Sequence, residues 1–196
     1  MRPALEALYV VWIVWAATWL AAALWANRTI ARPAARREWG YRIFTLPGWA
    51  LLLAYPVRRG LSLDAAPWQP LWRFPTGIEW MLVGFAAAGV AFAWWARLHL
   101  GRLWSASLTR KADHHIVDTG PYAIVRHPIY TGLYMAALAT LAIRASPVVI
   151  AGFALFAIGY WRKAGEEERF LAGELGAEAY ESYRRRVPML LPFAAK

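Results

Sequence analysis

The chain has 196 residues, of which 60% are hydrophobic and 13 are tryptophan, and its formal net charge is +10. It is too short for several soluble domains and too apolar for an ordinary soluble one, which indicates a single integral membrane domain over residues 1–196. The absence of cysteine excludes disulfides, thiolate metal ligands and cysteine nucleophiles. Because the basic residues lie between apolar runs, anionic lipid headgroups are favoured over nucleic acid as their partners.

Five apolar segments predict about five transmembrane helices, since roughly 20 apolar residues cross the hydrocarbon core of a bilayer. The first three are residues 5–26, 41–57 and 77–96, and they form an N-terminal three-span bundle within residues 1–97. A kink is expected at Pro47 in the second segment. Small residues in the third permit close helix approach: Gly84, Ala86, Ala87, Ala88 and Gly89.

Residues 130–143 and 147–161 are short for a full crossing and predict a tight helical hairpin that relies on tilt or on packing against other helices. Residues 165–186 then predict an amphipathic helix, acidic at its beginning and basic at its end. The predicted fold is an all-α, polytopic membrane helix bundle. Lysine and arginine accumulate on the cytoplasmic side of membrane proteins, and their distribution places the C-terminus and both flanks of the hairpin there.

Most polar residues outside the spans lie in two segments, residues 98–130 before the hairpin and residues 166–192 after it. A hairpin that leaves and returns to one face of the membrane brings its flanking segments together. We therefore expect the two segments to line one pocket at the membrane surface.

Several of these residues also fit purely structural roles. Glu166, Glu167 and Glu168 are suited to the start of a helix, and Pro128 is suited to a first helical turn, next to Arg126 on a lipid phosphate. The local pattern alone does not decide between a structural and a functional role for these residues.

Two further basic clusters have simpler explanations than a metal or catalytic site. His114 and His115 are adjacent, so their side chains point apart, and without an evident third ligand we expect no metal site. Arg97, His99 and Arg102 are typical of an edge that binds lipid headgroups.

The order of motifs in this half of the chain is specific. The stretches LWSASLTRKADHHIVDTGPYAIVRHPIYTGLY and EEERFLAGELGAEAYESYRRRVPMLLPF resemble the two-part signature of the isoprenylcysteine carboxyl methyltransferase family. Gly-Pro-Tyr, Arg-His-Pro-x-Tyr-x-Gly, a short hairpin, Glu-Glu-x-x-Leu, Tyr-x-x-Tyr and Arg-Val-Pro follow one another in that family's order. The resemblance covers residues 98–193, about half of the chain.

The resemblance implies transfer of a methyl group from S-adenosylmethionine to a lipophilic acceptor, first of all O-methylation of a carboxylate such as a prenylcysteine C-terminus. It places a cytoplasmic cofactor-binding loop and the catalytic region in residues 98–196. Arg186 would hold the acceptor carboxylate, and Arg126 and His127 are the other catalytic candidates. The cofactor pocket would include either His114 or His115, with Val117, Gly120, Tyr122, His127, Pro128, Tyr130, Glu167 and Glu168.

These assignments are chemically reasonable. S-adenosylmethionine carries an ammonium, a carboxylate and a sulfonium group, so its pocket needs an acidic partner and several hydrogen-bond donors. A carboxylate acceptor needs no general base, and the guanidinium of Arg186 can clamp it through two hydrogen bonds. An amine or thiol acceptor needs a base, for which His127 or a glutamate is the candidate.

Other functions remain open at this point. The nearest are N-methylation of a phospholipid amine and S-methylation of a small thiol on the same scaffold. A sterol-reductase-like enzyme is disfavoured by the acidic run 166–168, because nicotinamide phosphates need basic partners. A carrier is disfavoured because no predicted span has a charge in its middle. We expect a multi-pass protein of a prokaryotic plasma membrane, in contact with membrane lipids and of open oligomeric state.

Overall fold

The computed structural model describes residues 2–23, 29–31, 35–54, 66–104, 110–111 and 115–194. Its α-helices within these ranges are α1 (Pro3–Ala23), α2 (Ala35–Leu53), α3 (Thr76–Leu100), α4 (Pro121–Ile124), α5 (Pro128–Arg144), α6 (Pro147–Leu175) and α7 (Ala177–Arg186). Residues Ala66–Trp68 and Gly101–Leu103 form single 3-10 turns. Two short strands, β1 (Thr29–Ala31) and β2 (Arg110–Lys111), pair antiparallel. The fold is helical, as the sequence predicts, apart from this strand pair.

Among the described helices, α1, α3 and α6 are long and apolar enough to cross a membrane. Their outer surfaces are apolar: Ile13 and Leu20 on α1 are 65% and 72% exposed, and Met81 on α3 is 75% exposed. Large apolar side chains that are this exposed are stable in contact with lipid rather than with water. The protein is therefore a membrane protein.

Helix α5 occupies the centre of the bundle. Its 17 residues span about 25 Å, less than the roughly 30 Å of the hydrocarbon core. Most of its side chains are buried, against α3 on one side and α2 and α6 on others. The indole of Trp12 on α1 donates a hydrogen bond of 2.9 Å to the hydroxyl of Thr140 on α5. Neighbouring helices thus enclose α5 within the bundle.

The predicted hairpin is present, but its second helix is longer than expected. Ala145 turns the chain in the left-handed conformation (φ 48°), and Ser146 caps α6 by accepting a hydrogen bond from the backbone N–H of Val149. The prediction of a separate amphipathic helix from residue 165 is wrong, because α6 continues to Leu175. Nothing in this stretch breaks a helix until Gly176, whose φ of +102° starts a new direction for α7.

Two close helix crossings depend on glycine. At the α3–α5 crossing, a Cβ on Gly89 would lie 2.6 Å from the carbonyl oxygen of Gly132. At the α2–α6 crossing, a Cβ on Gly152 would lie 2.7 Å from the backbone nitrogen of Leu52. The predicted close approach through the small residues of the third span is thus confirmed at Gly89, whereas Gly84 faces open space.

Arg97 does not form the headgroup-binding edge that its sequence position indicates. Its residue exposure is 0%, and its guanidinium donates to the carbonyl oxygens of Gly101 (2.6 Å) and Ala22 (2.7 Å) while lying over the ring of Trp104. Carbonyl groups at the C-terminal ends of helices attract cations. Arg97 therefore links the ends of α1 and α3.

Candidate active site

The two polar segments that flank the hairpin meet around one buried ion pair. Arg126 Nε donates to Glu168 Oε1 over 2.7 Å and Arg126 Nη2 donates to Glu168 Oε2 over 3.3 Å. Arg126 Nη1 also donates to the carbonyl oxygens of Arg184 (3.1 Å) and Val187. One guanidinium thus ties the start of the hairpin to α6 and to the end of α7.

Backbone hydrogen bonds extend this junction. The N–H groups of Arg126 and His127 donate to the carbonyl oxygens of Pro188 (2.8 Å) and Met189 (3.1 Å). The hydroxyl of Tyr183 on α7 donates to the carbonyl oxygen of Tyr122 over 2.8 Å. The expected convergence of the two segments is therefore present in the structure.

Their junction encloses a cavity of about 230 Å³ that α1, the end of α3, α5, α6 and α7 complete. Most of the predicted site residues line it: His115, Val117, Tyr122, Arg126, His127, Pro128, Tyr130 and Glu167. Gly120, Glu168 and Arg186 are outside its lining. His114 lies outside the described residues.

Glu167 is the carboxylate of this cavity. The hydroxyl of Tyr130 donates to Glu167 Oε2 over 2.6 Å. The imidazole of His127 stacks on the Tyr130 ring, with centroids 5.3 Å apart and planes 1° from parallel, and its Nδ1 lies 3.9 Å from Glu167 Oε2. The first turn of α5 therefore holds Glu167 in one orientation.

Glu168 points the other way, because successive helical residues are rotated by about 100°. It is 8% exposed and, besides Arg126, it faces His127 Nε2 at 3.1 Å. Its neighbour Glu166 is paired with the exposed guanidinium of Arg169 at 2.6 Å. Three consecutive glutamates thus face three environments: an exposed ion pair, the cavity and a buried ion pair.

Gly120 shapes the loop beside the cavity rather than its lining. Its φ is +56°, and an added Cβ would lie 2.7 Å from Cε1 of His99. The His99 ring faces Thr119 Oγ1 at 2.9 Å and stacks on Tyr122. Both the left-handed conformation and the close contact require glycine here. His99, which the sequence analysis assigned to a lipid edge, positions this loop.

Buried tyrosine side chains lie where α7 packs against the site. Burial raises the pKa of the Tyr122, Tyr180 and Tyr183 hydroxyls well above the usual value, and nearby Glu167 adds to the effect for Tyr122 and Tyr180. These hydroxyls stay protonated at neutral pH. Tyr183 can therefore serve as a hydrogen-bond donor to the loop.

Arg186 lies on the outer side of α7. Its side chain is 60% exposed, and Nη2 donates to Asp118 Oδ2 over 3.1 Å. The structure brings Arg186 next to the loop that contributes Val117 to the cavity, but it does not place the guanidinium in the lining.

Part of the cavity wall is not evident from the sequence. Trp15 and Trp19 come from α1, far away in sequence, and Trp104 and Tyr160 look like ordinary interfacial aromatics in the sequence. Lys163 also lines the cavity, with Nζ 5.3 Å from the ring centroid of Tyr130. The available signal is its spacing, because a lysine four residues before Glu167 shares a helix face with it.

Comparison with known proteins identifies the family. The model of the isoprenylcysteine carboxyl methyltransferase family matches residues 82–173. The chain is 33% identical over 185 residues to methanethiol S-methyltransferase 2 of Bradyrhizobium diazoefficiens, covering 85% of this chain and 68% of that protein. It is 30% identical over 146 residues to the cobalt-zinc-cadmium resistance protein CzcN of Cupriavidus metallidurans, covering 74% of this chain and 62% of that protein.

A third relative matches a smaller part of the chain. The human protein-S-isoprenylcysteine O-methyltransferase is 34% identical over 84 residues, which cover 42% of this chain and 30% of that protein. The motif order, the helical membrane fold and these relatives agree. The chain therefore belongs to the isoprenylcysteine carboxyl methyltransferase family and is a membrane methyltransferase.

Proposed function

We propose that this protein transfers a methyl group from S-adenosylmethionine to a small or lipophilic thiol inside the cavity between α1, α5, α6 and α7. The observation that carries this proposal is Glu167, a carboxylate held by Tyr130 in the wall of a largely aromatic cavity. Such a site suits a ligand that carries a positive charge and also has apolar parts.

The residues present fit the proposed cofactor. The Glu167 carboxylate suits the ammonium of its amino-acid part, and His115 offers a donor for a carboxylate or ribose oxygen. The cavity wall contains the tryptophans Trp15, Trp19 and Trp104, and such a wall suits a sulfonium, since aromatic rings attract cations. When bound, the cofactor supplies an electrophilic methyl group.

The chain's own residues contribute positioning and desolvation. Trp15, Trp19 and Trp104 on the apolar side of the cavity exclude water from the acceptor, which makes an anionic nucleophile more reactive. For a thiol acceptor, His127 takes the proton, with Glu168 orienting its ring through the 3.1 Å contact at Nε2.

Two observations support a thiol as the acceptor. Arg186, the residue that a carboxylate acceptor would need, is 60% exposed and is paired with Asp118 outside the cavity lining. The relative whose alignment covers 85% of this chain is named a methanethiol S-methyltransferase. A thiol needs a base and an apolar wall, both of which the cavity has.

O-methylation of a carboxylate is the second candidate. Asp118 lies next to Val117, so a carboxylate that displaced Asp118 from Arg186 would lie at the cavity rim. The human relative is named a protein-S-isoprenylcysteine O-methyltransferase. This candidate predicts that Arg186 is essential.

The proposal includes the membrane topology expected from the sequence. Helices α2 and α5 would complete five crossings, with α5 enclosed by its neighbours. The cavity would open to the cytoplasm, because Lys163, Arg169 and Arg184 lie at that end of α6 and α7 and positive charge favours the cytoplasmic side. A prokaryotic plasma membrane is the proposed location.

The role of Glu167 can be tested by binding. Glu167→Gln in purified protein should weaken S-adenosylmethionine binding about tenfold or more, since a charge-assisted hydrogen bond contributes roughly 1.5–3 kcal/mol. Calorimetry in detergent measures it. Glu166→Gln is the matched control, as its carboxylate is paired with the exposed Arg169 and lies outside the cavity lining. Equal affinity for the parent and the Glu167 variant would contradict the pocket assignment.

The acceptor can be identified with methyl-labelled cofactor. Purified protein would be given a short alkanethiol, a prenylcysteine analogue or vesicles containing phosphatidylethanolamine. We expect a labelled thioether from the thiol, formed equally fast by the parent and by Arg186→Ala. If the label appears in a prenylcysteine ester and Arg186→Ala abolishes its formation, the result supports the second candidate instead. Label found only in phospholipid would contradict both candidates.

A further inference from the structure

The cavity has a polar end at Glu167 and an aromatic end to which α1 contributes. Helices α1 and α5 run in opposite directions, and the hydrogen bond from Trp12 to Thr140 marks one level on both. At about 1.5 Å per residue, Trp15 lies roughly 4.5 Å from that level, and Tyr130, the partner of Glu167, roughly 15 Å. Trp15 therefore lines the cavity about 10 Å deeper in the bundle than Tyr130.

Trp49 of α2 packs behind this deep end and holds two of its residues. Its indole stacks on that of Trp15, with centroids 5.5 Å apart and planes 11° from parallel. Its Nε1 donates to the hydroxyl of Tyr160, which also lines the cavity, over 3.2 Å. Trp49 in turn contacts the buried rings of Trp12 and Phe156 at centroid distances of 5.2 Å and 5.1 Å. Trp15 and Tyr160 therefore form a closed end, which we call the floor of the cavity.

The space above the floor is small. The whole cavity measures about 230 Å³, whereas sites that enclose a drug-sized ligand measure about 300–1,000 Å³. S-adenosylmethionine is itself a ligand of that size, so part of it would extend beyond the cavity when its ammonium is at Glu167. The aromatic end then has room for only a few acceptor atoms, and a long hydrocarbon chain that entered it would meet the floor.

We propose that Trp15 determines acceptor specificity by limiting the acceptor to thiols with a short hydrocarbon chain. This inference rests on the proposed thiol methylation. The thiol sulfur would lie beside the methyl donor, and its chain would point to the floor between Trp15, Trp19 and Leu133. Each methylene that fits above the floor strengthens binding because it is removed from water. A longer chain must displace the Trp15 ring, which Trp49 holds.

A hydrogen bond does not explain the tryptophan at position 15. The buried Nε1 of Trp15 has no hydrogen-bond partner among the residues that the structure describes, whereas Trp12 and Trp49 both donate hydrogen bonds. A buried N–H without a partner is unfavourable, so the contribution of Trp15 is the size and shape of its ring. A smaller side chain at this position loses ring contacts but no hydrogen bond to a described residue.

Trp15→Ala tests the inference with straight-chain alkanethiols from ethanethiol to decanethiol at saturating S-adenosylmethionine. In the parent, kcat/KM should rise by up to roughly fourfold per methylene and then fall once the chain reaches the floor. In the variant the fall should come about three methylenes later, and the ratio of kcat/KM for octanethiol to that for ethanethiol should rise by about tenfold or more. Because the ratio compares two acceptors in one variant, any change in cofactor affinity cancels.

Trp95→Ala is the matched control. It removes the same indole from α3, where the side chain is exposed and lies outside the cavity lining. The control should keep the chain-length profile of the parent. Thermal unfolding of each variant establishes that the fold is retained.

The inference fails if Trp15→Ala keeps the chain-length profile of the parent. It also fails if the parent methylates long and short thiols equally well, because no floor would then limit the acceptor. If Trp15→Ala does not fold, Trp15→Phe and Trp15→Leu are compared with the parent. The accepted chain should lengthen as the side chain becomes smaller, and equal profiles overturn the inference. A parent protein that methylates no thiol of any length contradicts the proposed function itself, which separates the two failures.

Discussion

Glu168→Gln is expected to destabilise the protein by about 3 kcal/mol, which corresponds to a fall in the thermal unfolding midpoint of roughly 6–12 °C. The substitution removes the negative charge but leaves the Arg126 guanidinium in place, where 6% of its side chain is exposed. A buried charge that loses its partner costs more than the pair contributed. Two backbone carbonyls still bind Arg126, which puts the expected cost at the lower end.

The effect should also reach the C-terminal segment. Arg126 holds the carbonyl oxygens of Arg184 and Val187, and a guanidinium no longer fixed by Glu168 would hold the end of α7 less firmly. Limited proteolysis after α7 should accelerate in the variant. Glu166→Gln changes the same functional group two residues away and should leave both readouts unchanged. An unaltered midpoint for the Glu168 variant would show that the buried pair does not hold this junction.

Gly132→Leu is the second change for which we expect a large loss of stability, about 3 kcal/mol or more. A Cβ at this position would overlap the carbonyl oxygen of Gly89 and lie 2.9 Å from the backbone nitrogen of Ala93. Both obstacles are backbone atoms of α3, so a rotamer change cannot relieve the clash. Helices α3 and α5 would have to separate.

That separation should also affect the site. Helix α5 carries Tyr130 in its first turn and α3 carries Leu100 at its end, and both line the cavity, so the two walls would move apart. We expect a lower thermal midpoint together with weaker cofactor binding. Gly84→Leu is the control on α3, because its Cβ would meet no atom within 4 Å and leaving glycine favours a helix by up to about 1 kcal/mol. If the thermal midpoint fell equally in both variants, the close crossing of α3 and α5 would not be the cause of the destabilisation.

Local signals predicted much of the architecture. The apolar runs located the membrane helices α1 and α3 to within a few residues, and Ser146 and Pro147 marked the start of α6. The end of α6 was misjudged because a change from apolar to charged residues looks like a helix boundary. Charged residues continue a helix readily, and the chain turns only where Gly176 takes a positive φ.

For the candidate site, too, the sequence predicted some features and the packing of the helices decided others. Motif order alone pointed to Tyr122, His127, Tyr130 and Glu167, which line the cavity together. It could not separate Glu167 from Glu168, since both match one motif and only the rotation of α6 relative to α5 decides which carboxylate is buried against Arg126.

The sequence by itself determined that this protein is a helical membrane methyltransferase, because apolar runs and an ordered set of motifs are local properties of the chain. Only the tertiary structure decided what surrounds the reaction. It brought Trp15 and Trp19 from the first helix to the cavity wall, enclosed the ammonium of Lys163 in three tyrosine rings and left Arg186 outside. The physical reason is that helix rotation and crossing depend on side-chain packing between segments far apart in sequence, and no local pattern records that packing.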